Sequence, residues 1–88
     1  MKHSFDSIKL IPRDKDEITF DVPGMYKLEG LGLDITFPRE KDISMEFVKH
    51  RTTLEKVVFD HKGFQTEFEI EKMALVVGGV PSALLLVK

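Results

Sequence analysis

The side chains that most often perform catalysis or bind metals are few in this chain. Its three histidines, His3, His50 and His61, show none of the ligand spacings typical of zinc sites, and the sequence contains no cysteine. No serine lies in the Gly-x-Ser-x-Gly context of a hydrolase nucleophile. These residue types predict no metal, no cofactor and no catalytic residue, and they favour a protein that is not an enzyme.

Carboxylates cluster in two places. Asp14, Asp16 and Glu17 lack the central glycine and the further ligands of a calcium-binding loop. Glu67 and Glu69 share one face of an expected strand, where contact with water is the simplest arrangement. Two carboxylates brought together across subunits are the remaining route to acid–base catalysis, so an enzyme with a site shared between subunits ranks third among the functions considered.

One set of connections suits contact with an anion or with the backbone of a partner. If consecutive strands pair as a meander, alternate connections gather at one end of the sheet. The end formed by residues 23–24, 50–53 and 78–82 is rich in glycine and carries an arginine, a histidine and hydroxyl groups. The candidate contact residues there are His50, Arg51, Thr52, Thr53, Gly78, Gly79 and Ser82.

Composition and charge describe one globular domain over residues 1–88. Hydrophobic residues make up 42% of the sequence and charged residues 32%, and the net charge is −2. Lysines and arginines are spread along the chain, whereas proteins that neutralise phosphates usually have a basic face. The charge pattern therefore argues against a nucleic-acid partner.

Two further features concern location and source. The first residues lack the apolar segment of a signal peptide, and the uncharged run over residues 73–87 is too short and too interrupted by glycine and proline to span a membrane. These features predict a cytoplasmic protein with no membrane contact. The sequence contains no asparagine, and Gln65 is its one glutamine, a bias typical of thermophilic sources.

Alternation of apolar and polar residues dominates the chain and predicts strands with one buried face. It is strict over residues 18–22 and 31–37, and it recurs over residues 43–47. Pro23-Gly24 predicts a type II turn, and a change of phase near Gly30 predicts a β-bulge. The expected fold is mainly β, a small antiparallel barrel or two-layer sandwich of six or seven strands.

The clearest predicted hairpin surrounds residues 60–63, where an aspartate opens the turn and a glycine closes it. A four-residue loop places Phe59 opposite Phe64. The same register places Lys56 opposite Glu67, which pairs opposite charges.

Residues 67–77 fit two structures. Ile70, Met73 and Val77 follow helical spacing, whereas the alternation that begins at Phe64 continues a strand. The sequence favours a long strand, bulged near Lys72, over one short helix near residues 67–77. A helix over residues 43–59 is a lesser alternative, because β-branched residues occupy part of it.

A continuous apolar run ends the sequence and predicts a strand covered on both faces, either by the core or by a second copy of the chain. Because a small domain without disulfides gains buried area by association, this strand is the candidate surface for a homo-oligomer. Its residues are Ala83, Leu84, Leu85, Leu86 and Val87.

These features favour a non-catalytic interaction or assembly module whose partner is a protein, either another protein or a second copy of the chain. The alternative is a barrel that binds a small ligand or a single-stranded nucleic acid. In that case Tyr26, Arg51 and exposed phenylalanines form the contact surface.

Overall fold

Antiparallel strands make up most of the computed structural model, which describes residues 1–14, 16–37, 43–77 and 81–88. These ranges contain eight strands and one helix. The elements are β1 (His3–Phe5), β2 (Ser7–Pro12), β3 (Ile18–Phe20), β4 (Gly24–Glu29), β5 (Gly32–Thr36), α1 (Ile43–Lys49), β6 (Leu54–His61), β7 (Phe64–Val77) and β8 (Ser82–Val87). The predicted mainly β, antiparallel fold is confirmed, with more strands than the six or seven expected.

The sheet curls because the continuous segment β1–β2 pairs with both of its halves, through β4 on one side and β6 on the other. The strand order is β1-β4-β5-β8-β7-β6-β2-β3, so the connections do not form the predicted meander. Only Asp6 separates β1, which pairs with β4, from β2, which pairs with β6. The Asp6 N–H donates to the Asp60 carbonyl at 2.7 Å, which extends the β2–β6 ladder into this corner. The sheet therefore folds over on itself in a barrel-like form.

An aromatic cluster fills the space inside the curl. Tyr26 stacks on Phe59 with ring centroids 4.1 Å apart and planes 11° apart, and Phe5 lies 5.0 Å from Phe59. These rings come from β4, β6 and β1, so they join the two halves of the sheet. Burial alternates strictly along β2 and β8, as expected for strands with one face against this core.

Two turn predictions are wrong for identifiable reasons. Gly24 has no positive φ, so Pro23-Gly24 is not a type II turn. Gly24 instead begins β4 in a crowded place, where a Cβ would lie 2.5 Å from the Phe5 ring. The phase change near Gly30 comes from a hairpin turn rather than a bulge, since Glu29 pairs with Gly32 and Gly30 has φ 59°.

The β6–β7 hairpin exists, but its predicted register is wrong by two residues. His61 pairs with Phe64, which leaves a two-residue turn in which Lys62 (φ 52°) and Gly63 (φ 87°) both have positive φ. Such turns match the twist of the flanking strands. Lys56 consequently pairs with Glu69 and reaches Glu67 only diagonally, with 3.5 Å between Nζ and Oε2.

The long strand favoured over residues 67–77 is confirmed, because these residues belong to β7 and pair with β6 and then β8. The strand expected over residues 43–47 is wrong, and the lesser alternative, a helix over residues 43–59, holds for its first half only. There α1 buries Ile43 and Phe47, four residues apart. These two residues satisfy both the strand period and the helical period, whereas Met45 between them is exposed. The charged turn expected over residues 38–42 lies outside the described residues.

Candidate functional site

The strand β7 changes partners halfway along its length. Residues 64–69 pair with β6, and residues 70–77 pair with β8 on the opposite edge. Two register shifts, between Ile70 and Lys72 and between Met73 and Leu75, accompany the change. Among the described residues, no strand pairs with residues 70–77 on the edge that β6 leaves. We call this free edge the β7 edge.

Hydrogen bonds at the two ends of β8 show which of its residues face β5 and which face β7. The N–H of Phe37, which follows β5, donates to the Pro81 carbonyl at 2.8 Å. The Val87 N–H donates at 2.9 Å to the carbonyl of Leu31, which precedes β5. The Lys88 N–H donates at 3.0 Å in the other direction, to β7. Odd-numbered residues of this stretch therefore face β5, and even-numbered residues face β7.

The same alternation fixes the direction of the β7 backbone. The even-numbered residues Ser82 and Leu84 pair with Val77 and Leu75, whose backbone groups consequently face β8. Met73 and Val76 pair with the odd-numbered Leu85 and Ala83, so their backbone N–H and C=O groups point to the β7 edge. No described strand pairs with these groups there, and they can pair with an added strand.

A cleft of about 510 Å³ opens where β6 and β7 separate. Its lining includes the buried side chains of Leu54 and Ile70, as well as the exposed hydroxyl of Thr52. Its charged lining consists of the cations Arg13, Arg51, Lys72 and Lys88 and the carboxylates Glu55 and Glu71. We call this the cationic cleft.

The cations of the cationic cleft differ from most others on this surface. Within the described ranges, carboxylates form ion pairs with four lysines, at Lys9–Glu17, Lys27–Glu29, Lys49–Glu46 and Lys56–Glu67. None of the four cations that line the cleft takes part in an ion pair with a described carboxylate. Their charge is therefore available to an anionic partner.

An apolar groove of about 260 Å³ continues from the cationic cleft, between α1 and the β7 edge. It shares Arg51 and Met73 with the cleft and is otherwise lined by residues of α1 and β7, namely Val48, Ala74, Leu75 and Val76. Val48 and Leu75 are 54% and 57% exposed. The Ser44 hydroxyl donates to the Val77 carbonyl at 3.0 Å, which holds α1 beside the strand.

Only part of the predicted contact end lies at this site. Arg51 and Thr52 line the cationic cleft. His50 is 6% exposed and ends the helix, since its N–H donates to the Glu46 carbonyl at 3.3 Å and its carbonyl accepts from Thr53 N–H at 3.2 Å. Its role in the structure is therefore to close the turn after α1.

Two further predicted contact residues, Thr53 and Ser82, do not line the cleft. The Thr53 carbonyl accepts the backbone N–H of Arg13 at 2.8 Å, and Ser82 pairs with Val77 inside the sheet. Gly78 and Gly79 lie outside the described residues.

The C-terminal apolar run is an interior strand of the sheet. Ala83, Leu85 and Val87 are buried in the core, while Leu84 and Leu86 are half-buried on the outer face. Because β8 is hydrogen-bonded to β5 and to β7, it has no free edge for a partner strand. Self-association stays a prediction, and through β8 it would have to use the outer face rather than an edge of the strand.

The surface expected for a nucleic-acid-binding barrel is divided between two cavities. Tyr26 lines a cavity of about 360 Å³ together with Phe59 and Phe64, whereas Arg51 lines the cationic cleft. The two cavities share no lining residue. The two predicted contact residues Tyr26 and Arg51 therefore do not share a cavity in this fold, and the cation that lines the Tyr26 cavity is Lys2.

Within the described ranges, no three side chains of histidine, cysteine, aspartate or glutamate lie close enough together to hold a metal ion. The helix in the same ranges is neither long nor apolar enough to cross a membrane.

Comparison with known proteins adds no assignment to this site. No protein-family model, no curated protein and no solved structure matches the chain.

Three of the cleft cations, Arg13, Lys72 and Lys88, were not predicted as contact residues. They lie far apart in the sequence, at the end of β2, in β7 and after β8. The bulge predicted near Lys72, which the register shift there confirms, is the one sequence signal that points to this place.

Proposed function

We propose that this protein is a non-catalytic interaction module that binds an extended polypeptide segment as an additional strand on the β7 edge. The observation that carries the proposal is the free edge of β7 over residues 70–77, bordered by the apolar groove. Addition of a strand to an exposed edge is a recurring mode of peptide recognition. Backbone hydrogen bonds supply affinity, and pockets for alternate side chains supply specificity.

The groove supports this function in two ways. Met73 and Val76 offer edge backbone groups that no described strand pairs with, and Val48 and Leu75 offer exposed apolar surface beside them. Proteins normally protect a free edge by charge, by proline or by covering it. Here the middle of the edge carries methionine, alanine, leucine and valine, so it is suited to be covered by a partner.

A pair of substitutions at Val76 tests the proposal. The N–H of Val76 faces away from β8, and proline is tolerated on an edge strand where the N–H is not part of the ladder. Val76→Pro removes an edge N–H, whereas the control Val76→Ala keeps it. We expect a capped peptide of alternating valine and threonine to shift the backbone amide resonances of residues 70–77. Its affinity should fall about twofold to tenfold in Val76→Pro relative to Val76→Ala, since one lost hydrogen bond is worth about 0.5–1.5 kcal/mol.

Equal affinity of the two Val76 variants would contradict strand addition at this edge. So would a titration in which amides elsewhere shift and those of residues 70–77 do not. Thermal unfolding of each variant, measured first, establishes that both are folded at the temperature of the titration.

Binding of a small planar ligand is a second candidate function, supported by the cavity at Tyr26. There Tyr26 stacks on Phe59, and the His3 ring lies 5.2 Å from the Tyr26 ring with its plane tilted by 32°. Phe64 lines the same cavity and is 80% exposed. Exposed aromatic rings beside a stacked pair can accept a base or another ring. We expect an oligothymidine strand at low salt to shift the amides of His3 and Phe64; unchanged spectra would exclude nucleic-acid binding at this cavity.

A further inference from the structure

The β7 edge has two chemically different ends. Toward residue 70 it opens into the cationic cleft, and toward residue 77 it borders the apolar groove. We propose that the segment bound at this edge carries acidic residues at its C-terminal end and apolar residues before them. This inference rests on the proposed function and specifies the partner's chemistry and direction.

Charge complementarity indicates the acidic residues. The lining of the cationic cleft carries four side-chain cations against the two carboxylates Glu55 and Glu71. None of these cations is committed to an ion pair with another described residue. Arg51 lines both the cleft and the groove, so it can bind a carboxylate next to the apolar part of the same segment.

Strand direction fixes which end of the segment is acidic. All strand pairs described in this sheet are antiparallel, and antiparallel pairing is slightly more stable per residue than parallel pairing. A strand that runs antiparallel to β7 passes residue 77 first and residue 70 last. Its N-terminal part therefore lies along the apolar groove, and its C-terminal part lies at the cationic cleft.

A second copy of this chain fits the edge poorly. Two copies related by a twofold axis through this edge pair their β7 strands antiparallel. The cationic cleft of each copy then lies against the apolar groove of the other, where Arg51 and Lys72 would lose water without gaining a carboxylate. A separate polypeptide with its own acidic end avoids that cost.

Three peptides of roughly eight residues, the length of residues 70–77, test the inference. The first alternates valine and threonine and ends in two aspartates, the second has asparagines in place of the aspartates, and the third carries the aspartates first. All are capped at both ends, so that the side chains supply the charge. Amide shifts of the full-length protein locate each peptide, and titrations give the dissociation constants.

We expect the first peptide to bind about twofold to thirtyfold more tightly than the second, as one or two exposed ion pairs allow. The advantage should shrink as sodium chloride is added. It should also fall in Arg51→Gln and remain in Lys62→Gln, a matched loss of one exposed cation on the β6–β7 turn. The third peptide should bind no more tightly than the second.

Equal affinities of the first and second peptides, with shifts at residues 70–77, would overturn the inference and leave strand addition intact. Equal affinities of the first and third would overturn the assigned direction. No shift at residues 70–77 with any peptide would overturn the proposed function and this inference together. An oligothymidine strand that displaces the first peptide and shifts only the amides of the cationic cleft would reassign the cleft to phosphate.

Discussion

Replacement of Gly24 by alanine should destabilise the protein although it adds a single methyl group. A Cβ on Gly24 would lie 2.5 Å from Cζ of Phe5 and 2.6 Å from the carbonyl oxygen of Thr36. The carbonyl belongs to β5, whose Thr36 pairs with Met25 in the β4–β5 ladder, so it cannot withdraw without disturbing that pairing. The Phe5 ring is also confined, since it is 1% exposed and packed against three other aromatic rings.

Gly32 provides a matched control on the same hairpin. A Cβ there would meet the Glu29 carbonyl oxygen at 3.4 Å and the Leu84 side chain at 3.6 Å, which are ordinary contacts. Gly32→Ala should therefore leave stability unchanged or raise it by up to about 1 kcal/mol, because alanine lowers the entropy of the unfolded chain. Overpacking at Gly24 should cost about 1–3 kcal/mol. That is a large share of the roughly 5–13 kcal/mol expected for a chain of this length.

Urea unfolding followed by far-ultraviolet circular dichroism measures both free energies. The fluorescence of Tyr26, the one tyrosine in the sequence, reports the aromatic core in parallel. We expect the midpoint of Gly24→Ala to fall well below that of Gly32→Ala, with both probes in agreement. If the two variants unfold within about 0.5 kcal/mol of each other, the close approach of β1, β4 and β5 at Gly24 is not as described.

Two further predictions concern the β6–β7 hairpin. Because Lys62 has φ 52°, a conformation that asparagine adopts more readily, Lys62→Asn should raise stability by about 0.5–1 kcal/mol, and Lys62→Val should lower it by about 1 kcal/mol or more. Urea midpoints of the two variants should move in opposite directions, and a shift in the same direction would contradict the two-residue turn. Phe59→Ala should cost about 3–5 kcal/mol, because Phe59 is 2% exposed in the core, while Phe64→Ala should stay within about 0.5 kcal/mol of the unsubstituted protein. A double-mutant cycle of Phe59→Ala and Phe64→Ala should give no coupling energy. A coupling energy above about 0.5 kcal/mol would favour the register that places the two phenylalanine rings opposite each other.

Local sequence patterns predicted the strands well and their partners poorly. Alternation identified the buried faces at Leu33 and Ile35, because each pattern there lies within one strand. It could not separate helix from strand at residues 43–47, where Ile43 and Phe47 satisfy both periods. The hairpin register depended on Lys62 adopting a positive φ, which its residue type disfavours.

The candidate site was the least predictable part for a related reason. The β7 edge exists because β6 turns away to pair with β2, while β8 pairs with β5. Those pairings join segments far apart in the chain, and no local pattern encodes them. Arg51 was selected for its residue type and from a meander that the sheet does not form, whereas its neighbours Arg13 and Lys88 required knowledge of the true topology.

The corner at Asp6 also bears on the order in which the chain folds. The hairpins β4–β5, β6–β7 and β7–β8 connect neighbours in sequence, so each can close early. By contrast, pairing of Ser7 with Asp60 and of Thr36 with Ser82 closes much longer loops. We therefore expect these hairpins to form before β2–β6 and β5–β8 join them, so that the aromatic interior stays open to water until the corner at Asp6 is in place.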